Sequence, residues 1–357
     1  MKKSLIALAV LAASGAAMAQ SSVTLFGIVD AAYGVGKGSL SNKTQLKNSG
    51  YNSSRLGFRG VEDLGGGMKA SFWLEAGVNN DDGSGAGTSN NNQSLPAWNS
   101  ADGKNSAINA RNQGLTFNRR STVSLEGSMG ELRLGRDYTP QFWSETAYDP
   151  FGTNGVGTTI AAFSGGNVGV RASNSIAWLS PSISGFKIWA QTYMGENAST
   201  AAQNGDGNAV RFTYDQGALS LAYATSTVNT SASTAASTSN KTSNFAGSYD
   251  LGVAKLMAQS NLTKNTGASD TKGSLIGALV PMAGGTFRIS MADRKTGAVE
   301  AKQTSLGFVM PLSKRTDLYT TYARLANSGG SAVALNGATT AANASSTGYE
   351  FGVKHAF

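Results

Sequence analysis

The stretch SSRLGFRGVEDLGGGMKASFWLEA, Ser53 to Ala76, reads as a β-hairpin. Leu56 and Phe58 point one way, while Arg55, Gly57 and Arg59 point the other, as alternation along a strand requires. Glu62-Asp63-Leu64-Gly65-Gly66-Gly67 is a tight polar turn. Beyond it Ala70, Phe72, Leu74 and Ala76 oppose Lys69, Ser71, Trp73 and Glu75. Two alternating runs joined by a short glycine-rich turn form an antiparallel pair.

The same beat runs through the chain. Upstream, Val23, Leu25, Gly27 and Val29 mark a first strand with a weaker pattern. Downstream, strands are expected at 115–126 and 130–137, then at 173–178, 186–191, 210–214 and 219–223. Seven more fit at about 243–250, 253–262, 272–281, 285–293, 302–311, 315–325 and 346–357, for a total of about 16. Short turns alternate with long polar loops such as 79–113 and 326–345, and 226–240 is a low-complexity Ser/Thr/Ala run read as a solvated loop. The chain ends in Tyr349, Phe351, Val353 and Phe357 on one face, the pattern of a closing strand.

Composition separates a membrane barrel from a soluble β protein. Charged residues are 14% of the chain, below the roughly 25% of soluble domains, while hydrophobic content is 40% with 45 glycines. The apolar residues are spread thinly, because each strand offers only alternate ones. A periplasmic sandwich or solenoid would have to pack two faces together, and here the second face is Arg, Lys, Ser, Thr and Gly. There is no apolar run long enough for a helical span, and there is no cysteine. Lys2, Lys3, the apolar run Leu5 to Ala13 and Ala17-Met18-Ala19 read as an export signal over residues 1–19. Cleavage there removes two lysines and takes the net charge from +8 to +6. The expected fold is therefore all-β: a 16-stranded antiparallel transmembrane barrel over residues 20–357, wide enough for an aqueous lumen.

One stretch breaks the beat. From Tyr138 to Val170 the chain has no strand alternation and no helical period, yet it carries Glu145, Asp149, Pro150 and Phe151 between Arg136 and Arg171. A loop of about this length inside a compact domain is usually functional. Catalysis is not expected. The only histidine, His355, is the third residue from the end, and no serine sits in a nucleophile elbow. Gly34 to Ser39 lacks the Lys-Ser/Thr pair and the helix of a phosphate loop, and Asp81-Asp82-Gly83 lacks calcium-loop spacing. No cofactor, metal or nucleic-acid partner is expected.

SRLGFRGVEDLGGGMKASFWLE, LRLGRDYTP (Leu132 to Pro140), the YDPFG of Tyr148 to Gly152 and the terminal GVKHAF together resemble the trimeric general porins of Gram-negative outer membranes, of the β-proteobacterial and neisserial type. The resemblance spans Ser22 to Phe357. It implies a homotrimer in contact with outer-membrane lipids and lipopolysaccharide, passing small hydrophilic solutes and inorganic ions. It also implies an inward-folded third loop, residues 138–170, acting as the constriction. Wall arginines matching the family pattern are Arg55, Arg119 and Arg171, facing Glu145 and Asp149 on the loop. Arg120 competes with Arg119, because strand parity is ambiguous there. Lys187, Arg211 and Arg288 have lumen parity and extend a basic stripe, while Arg136 and Asp137 pin the loop base. Mild anion preference follows from the converging arginines, since a narrow pore focuses their field. Trp73 and Trp189 are only two isolated rings of lumen parity, which favours a general over a solute-specific pore. A substrate-specific or cation-preferring porin and a non-conducting structural or adhesive barrel remain the alternatives.

Overall fold

The computed structural model describes residues 22–87, 112–158, 169–196, 205–229, 239–266 and 268–357. Its strands are β1 Ser22–Lys37, β2 in two pieces (Lys43–Asn48 and Arg55–Gly65), β3 Met68–Asn79, β4 Arg120–Gly127 and β5 Gly130–Tyr138. After the loop come β6 Arg171–Leu179, β7 Phe186–Tyr193, β8 Gly207–Gln216, β9 Leu219–Asn229 and β10 Ser239–Asp250. Within the expected loop 79–113 two short strands, Ser84–Ala86 and Asn112–Gln113, pair with each other, and the first also pairs with the end of β3. The remaining wall strands are β11 Lys255–Asn265, β12 Thr271–Met282, β13 Gly285–Thr296, β14 Val299–Pro311, β15 Thr316–Ser328 and β16 Ser346–Ala356. Each pairs antiparallel with its sequence neighbour, and β16 returns to β1 in the register Ile28↔Ala356 to Lys37↔Thr347. The result is a closed barrel of 16 strands, as the alternation required. Closure removes the unpaired edges that an open sheet would expose to lipid. Among the described residues no helix is long and apolar enough to cross a membrane; the crossing is made by strands.

The pleat sorts side chains as expected. Phe58, Phe72, Val123, Ile176, Phe245, Ile276 and Phe351 are exposed on the outside, where lipid would cover them. The inner face is built from Ser, Thr, Gln, Asn and charged residues interleaved with alanine and glycine. Long connections lie at one end and short turns at the other, which orients the barrel with the long loops extracellular.

Two local departures matter for the lumen. β2 is interrupted at residues 49–54, where the chain bulges inward with Ser49 at φ 63°. The buried Asp30 of β1 organises that bulge. Its carboxylate accepts backbone N–H bonds from Gly50 (3.2 Å), Tyr51 (2.8 Å) and Asn52 (2.5 Å) and the Tyr319 hydroxyl (2.5 Å). The expected strand at 115–126 starts only at Arg120. Asn118 captures the neighbouring backbone instead, accepting from Gly77 N–H (3.0 Å) and donating to Ala86 C=O, so residues before Arg119 leave the ladder, while Arg119 N–H still reaches Glu75 C=O (3.0 Å).

The loop after β5 corrects a second expectation. Pro140–Ala147 is an α-helix, α1, although no helical period was apparent. Its start signal was nonetheless present in the sequence. Thr139 is the N-cap, its hydroxyl accepting from Phe142 N–H at 3.3 Å, and Pro140 occupies the first helical position. The helix buries Gln141, Phe142, Ser144 and Glu145 against the barrel's inner wall, so its pattern is polar toward the wall and defies an apolar-stripe reading.

Candidate functional site

The loop folds into the barrel. Thr139 closes its base, with its N–H to Val170 C=O (3.2 Å) and its hydroxyl to Gly169 C=O (2.7 Å). From there the chain reaches across to the far wall. Tyr148 shares a hydroxyl bond with Ser220 of β9 (2.8 Å), Gln259 of β11 donates to Glu145 C=O (3.1 Å), and Gln303 of β14 donates to Val156 C=O (3.2 Å). Small residues on the inner face make room for this crossing. Tyr148 packs on Ala222 and Ala246, and Val156 on Ala301 and Ala323. Glycines admit the turn that follows the helix: a Cβ on Gly277 would stand 2.6 Å from Pro150, and one on Gly307 2.9 Å from Phe151. Residues 159–168 of the expected loop, like the expected signal at residues 1–19, lie outside the described residues.

Between loop and wall lies a cavity of about 920 Å³. Arg55, Arg119 and Arg171 all line it. Arg55 arrives on β2 directly below the Asp30-held bulge, donating to Ser53 C=O (2.8 Å) and Asn52 (2.7 Å). Arg119 donates to Glu75 at 2.6 Å and to the Tyr138 hydroxyl at 2.9 Å, and Arg55 stands 3.4 Å from the same Glu75 oxygen. One carboxylate therefore holds two guanidinium groups side by side. The buried Arg171 lies over the Tyr138 ring at 4.2 Å. The Arg119–Arg120 ambiguity resolves to both: Arg120 has lumen parity on β4, and Arg119, outside the regular strand, turns back inward.

Lys187, Arg211 and Arg288 also line the cavity. Arg211 donates to the Ser144 hydroxyl of α1 (2.9 Å), and Arg288 sits over both Phe151 (4.6 Å) and Tyr51 (4.8 Å). At the loop base Arg136 donates to Asn118 C=O (2.6 Å) and Ser173 (2.9 Å), while Asp137 accepts from Arg133 (2.7 Å) with Arg120 at 3.5 Å.

The acidic side differs from expectation. Asp149 lines the cavity, and its two oxygens accept from the N–H groups of Phe151 (2.9 Å) and Thr153 (3.0 Å), shaping the turn. Glu145 does not face the solute path. It lies four residues beyond Gln141 on the same helix face and is pressed against β11, accepting from Gln141 (2.7 Å) and Asn261 (2.6 Å). Burial pushes its carboxyl up to about 8, with Asp149 adding to the effect. The missing acid on the lumen side is Glu75, whose alternation beside Trp73 was visible but whose neighbours were not.

The aromatic content also exceeds the two rings expected. Besides Trp73 and Trp189, the cavity is lined by Tyr51, Tyr138, Phe142, Trp143 and Phe151, all outside the regular strands or at their ends. Four of these seven rings are covered by guanidinium groups and so do not form an open slide, while Phe142 and Trp143 pack against Tyr138. Trp73 is covered by Arg120 at 4.7 Å, Tyr138 by Arg171, and Tyr51 and Phe151 by Arg288. The rings act as racks that hold guanidinium planes in place.

A barrel of 16 strands with an inward loop and a basic lining is a channel geometry. Residues 5–330 match the family model of the Gram-negative porins. The chain belongs to that family. It is 38% identical to outer membrane porin protein 32 of Delftia acidovorans, with all of both chains covered. It is 29% identical to an outer membrane porin protein of Bordetella pertussis over 89% of this chain and 93% of the relative. Among solved structures it is similar to an anion-selective porin from Comamonas acidovorans, with TM-score 0.80, 34% identity, and 95% and 100% of the two chains covered. The outer-membrane protein OmpT of Vibrio cholerae shares the fold at TM-score 0.64 with 11% identity, 94% of this chain and 98% of that one being covered. This porin is thus an outer-membrane channel protein, in agreement with the resemblance read from its motifs.

Proposed function

We propose that this porin is a general diffusion pore with mild anion preference, whose selectivity is set where Arg55, Arg119 and Arg171 face the loop around Asp149. The observation that carries this reading is the charge imbalance of the cavity lining: eight basic side chains against the three acids Glu75, Asp137 and Asp149. In a narrow lumen with low-dielectric walls such an imbalance concentrates anions and repels cations. The anion-selective porin from Comamonas acidovorans, 34% identical, supports the same direction. The arginine-covered rings support a general pore, because an exposed aromatic track would be needed to bind one solute class. Lys187, Arg211 and Arg288 continue the basic path, and Arg136 with Asp137 fixes the loop at its root. The chemistry is transport alone, with no cofactor and no catalytic step. We also read residues 1–19 as the export signal and the working unit as a homotrimer embedded among outer-membrane lipids and lipopolysaccharide.

Single-channel recording in a planar bilayer across a potassium chloride gradient tests this. The expected result is stepwise ohmic conductance, often in threes, with an anion-favouring reversal potential. Inserted, folded protein without conductance would instead support the structural-barrel reading. A cation-favouring reversal would refute the assignment of selectivity to the arginines.

A further inference from the structure

The outer face of the barrel is not uniform. At the extracellular end, Lys241 of β10, Lys264 of β11, Lys272 of β12, Lys295 of β13, Lys302 of β14 and Arg324 of β15 are all exposed. Each has the parity of the outward side chains on its own strand: Phe245, Leu256, Ile276, Met291, Leu306 and Tyr322 are the apolar markers of that face. Six successive strands therefore each present one cation outward. Lys241, Lys272, Lys295 and Lys302 stand four residues above an outward apolar side chain, about 13 Å along a strand, which is headgroup height if the apolar residue is in hydrocarbon.

The register makes this arrangement costly for the protein alone. Lys241 is directly opposite Lys264, and Lys272 directly opposite Lys295. Like charges in directly opposed positions destabilise a sheet. The outward acids balance one end of the strip only: Glu300 pairs with Lys302 at 3.2 Å and stands opposite Lys295, and Asp293 stands opposite Lys302 and accepts from the Ser274 hydroxyl. Among the described residues the ladder pairs no acid with Lys241, Lys264 or Lys272. The strip also starts abruptly. In the same ladder row, Thr192, Asn208 and Thr227 precede Lys241 and Lys264, so β7–β9 carry neutral side chains where β10 and β11 carry lysine.

We propose that the outward cations of β10–β15 form a docking strip for a phosphorylated glycolipid headgroup of the outer leaflet, of the lipopolysaccharide class. This rests on the reading of the protein as an outer-membrane barrel among such lipids, and adds which sector of the wall they hold to. A headgroup phosphate placed between the members of each opposed lysine pair turns two repulsions into four attractions. The strip supplies by side chains the positive charge that divalent cations would otherwise bring between phosphates.

The test uses the full mature protein folded in neutral detergent and native mass spectrometry with diphosphoryl lipid A, its monophosphoryl form and inorganic phosphate as probes. The diphosphoryl lipid should remain bound after chelation of divalent cations, the monophosphoryl form should bind less, and millimolar inorganic phosphate should not displace either. Combined Lys241→Gln, Lys264→Gln, Lys272→Gln and Lys295→Gln should weaken retention at least tenfold. Lys37→Gln, an exposed cation of β1 outside the strip, should leave it unchanged. A second measurement is diagnostic even if the combined variant folds poorly. Lys272→Gln alone should raise the unfolding temperature in lipid-free detergent, where it relieves repulsion, and lower it relative to the parent once diphosphoryl lipid A is added. Equal retention by parent and variant, displacement by free phosphate, stripping by chelator, or no reversal of the stability order would each overturn the proposal. Conductance and reversal potential of the variants should match the parent, so failure of the strip and failure of the pore reading are separately visible.

Discussion

The charge balance of the cavity gives a prediction whose sign can be set in either direction. A unit charge about 8 Å from the path of a permeating ion changes its energy by about 0.5 kcal/mol at the dielectric constant of water, and screening at 0.1 M salt roughly halves this. The shift has opposite sign for anion and cation, so each lining charge alters the anion-to-cation permeability ratio about twofold. Replacing Arg55, Arg119 and Arg171 with glutamine removes three of the eight basic groups, and should lower the ratio about tenfold on the same arithmetic. Glu75→Gln removes the carboxylate that stands 2.6 Å from Arg119 and 3.4 Å from Arg55, and should raise the ratio about twofold. Reversal potentials in a planar bilayer read both changes. The effects should shrink at 1 M salt, where the screening length falls to about 3 Å. If the arginine triple and Glu75→Gln moved selectivity in the same direction, or if both were insensitive to salt, the selectivity would be steric and the electrostatic account would fail.

Gly155→Ala should loosen the loop, since Gly155 has φ +65° and a Cβ there would stand 2.0 Å from the Gly50 carbonyl oxygen; larger and noisier single-channel currents are expected, and unchanged traces would refute the role of that contact. Asp30→Asn should destabilise the barrel by about 3 kcal/mol, because the amide cannot accept three backbone N–H bonds and a hydroxyl as a carboxylate does; thermal unfolding in detergent measures it, and Arg55 should lose its fixed position along with the bulge. Glu145 contributes a pH dependence. Its carboxyl is held near 8 in the fold against 4.5 ordinarily, so the folded chain keeps a proton that the unfolded chain releases. Stability should fall by roughly 5 kcal/mol as pH rises from about 4.5 to 8 and level off above that. Glu145→Gln should flatten that slope, and a slope unchanged in the variant would show that Glu145 is not its source.

Period-2 alternation and turn chemistry were enough to find the strands, because a barrel wall facing lipid on one side and water on the other must write its parity into every strand. Arg55 and the lumen side of β2 and β3 were legible for that reason. The helix after Thr139 was not, since its buried face contacts a polar wall, and the apolar stripe that betrays most helices has no use there. Glu145 was misplaced on the same account: residue type marked it as a lumen acid, but helix register turned it toward Asn261.

By itself, then, the sequence determined the antiparallel barrel, the strand number, the long loop and the basic character of the lumen, since these follow from local alternation and composition. Only the tertiary structure decided which carboxylate stands between the arginines, which rings carry them and where the loop rests. Glu75 meets Arg119, 44 residues away, and Tyr51 meets Arg288 through a bulge that Asp30 and Tyr319 hold from opposite ends of the chain. Such contacts depend on barrel closure and loop placement, which bring distant residues within a few ångströms and which no local pattern encodes.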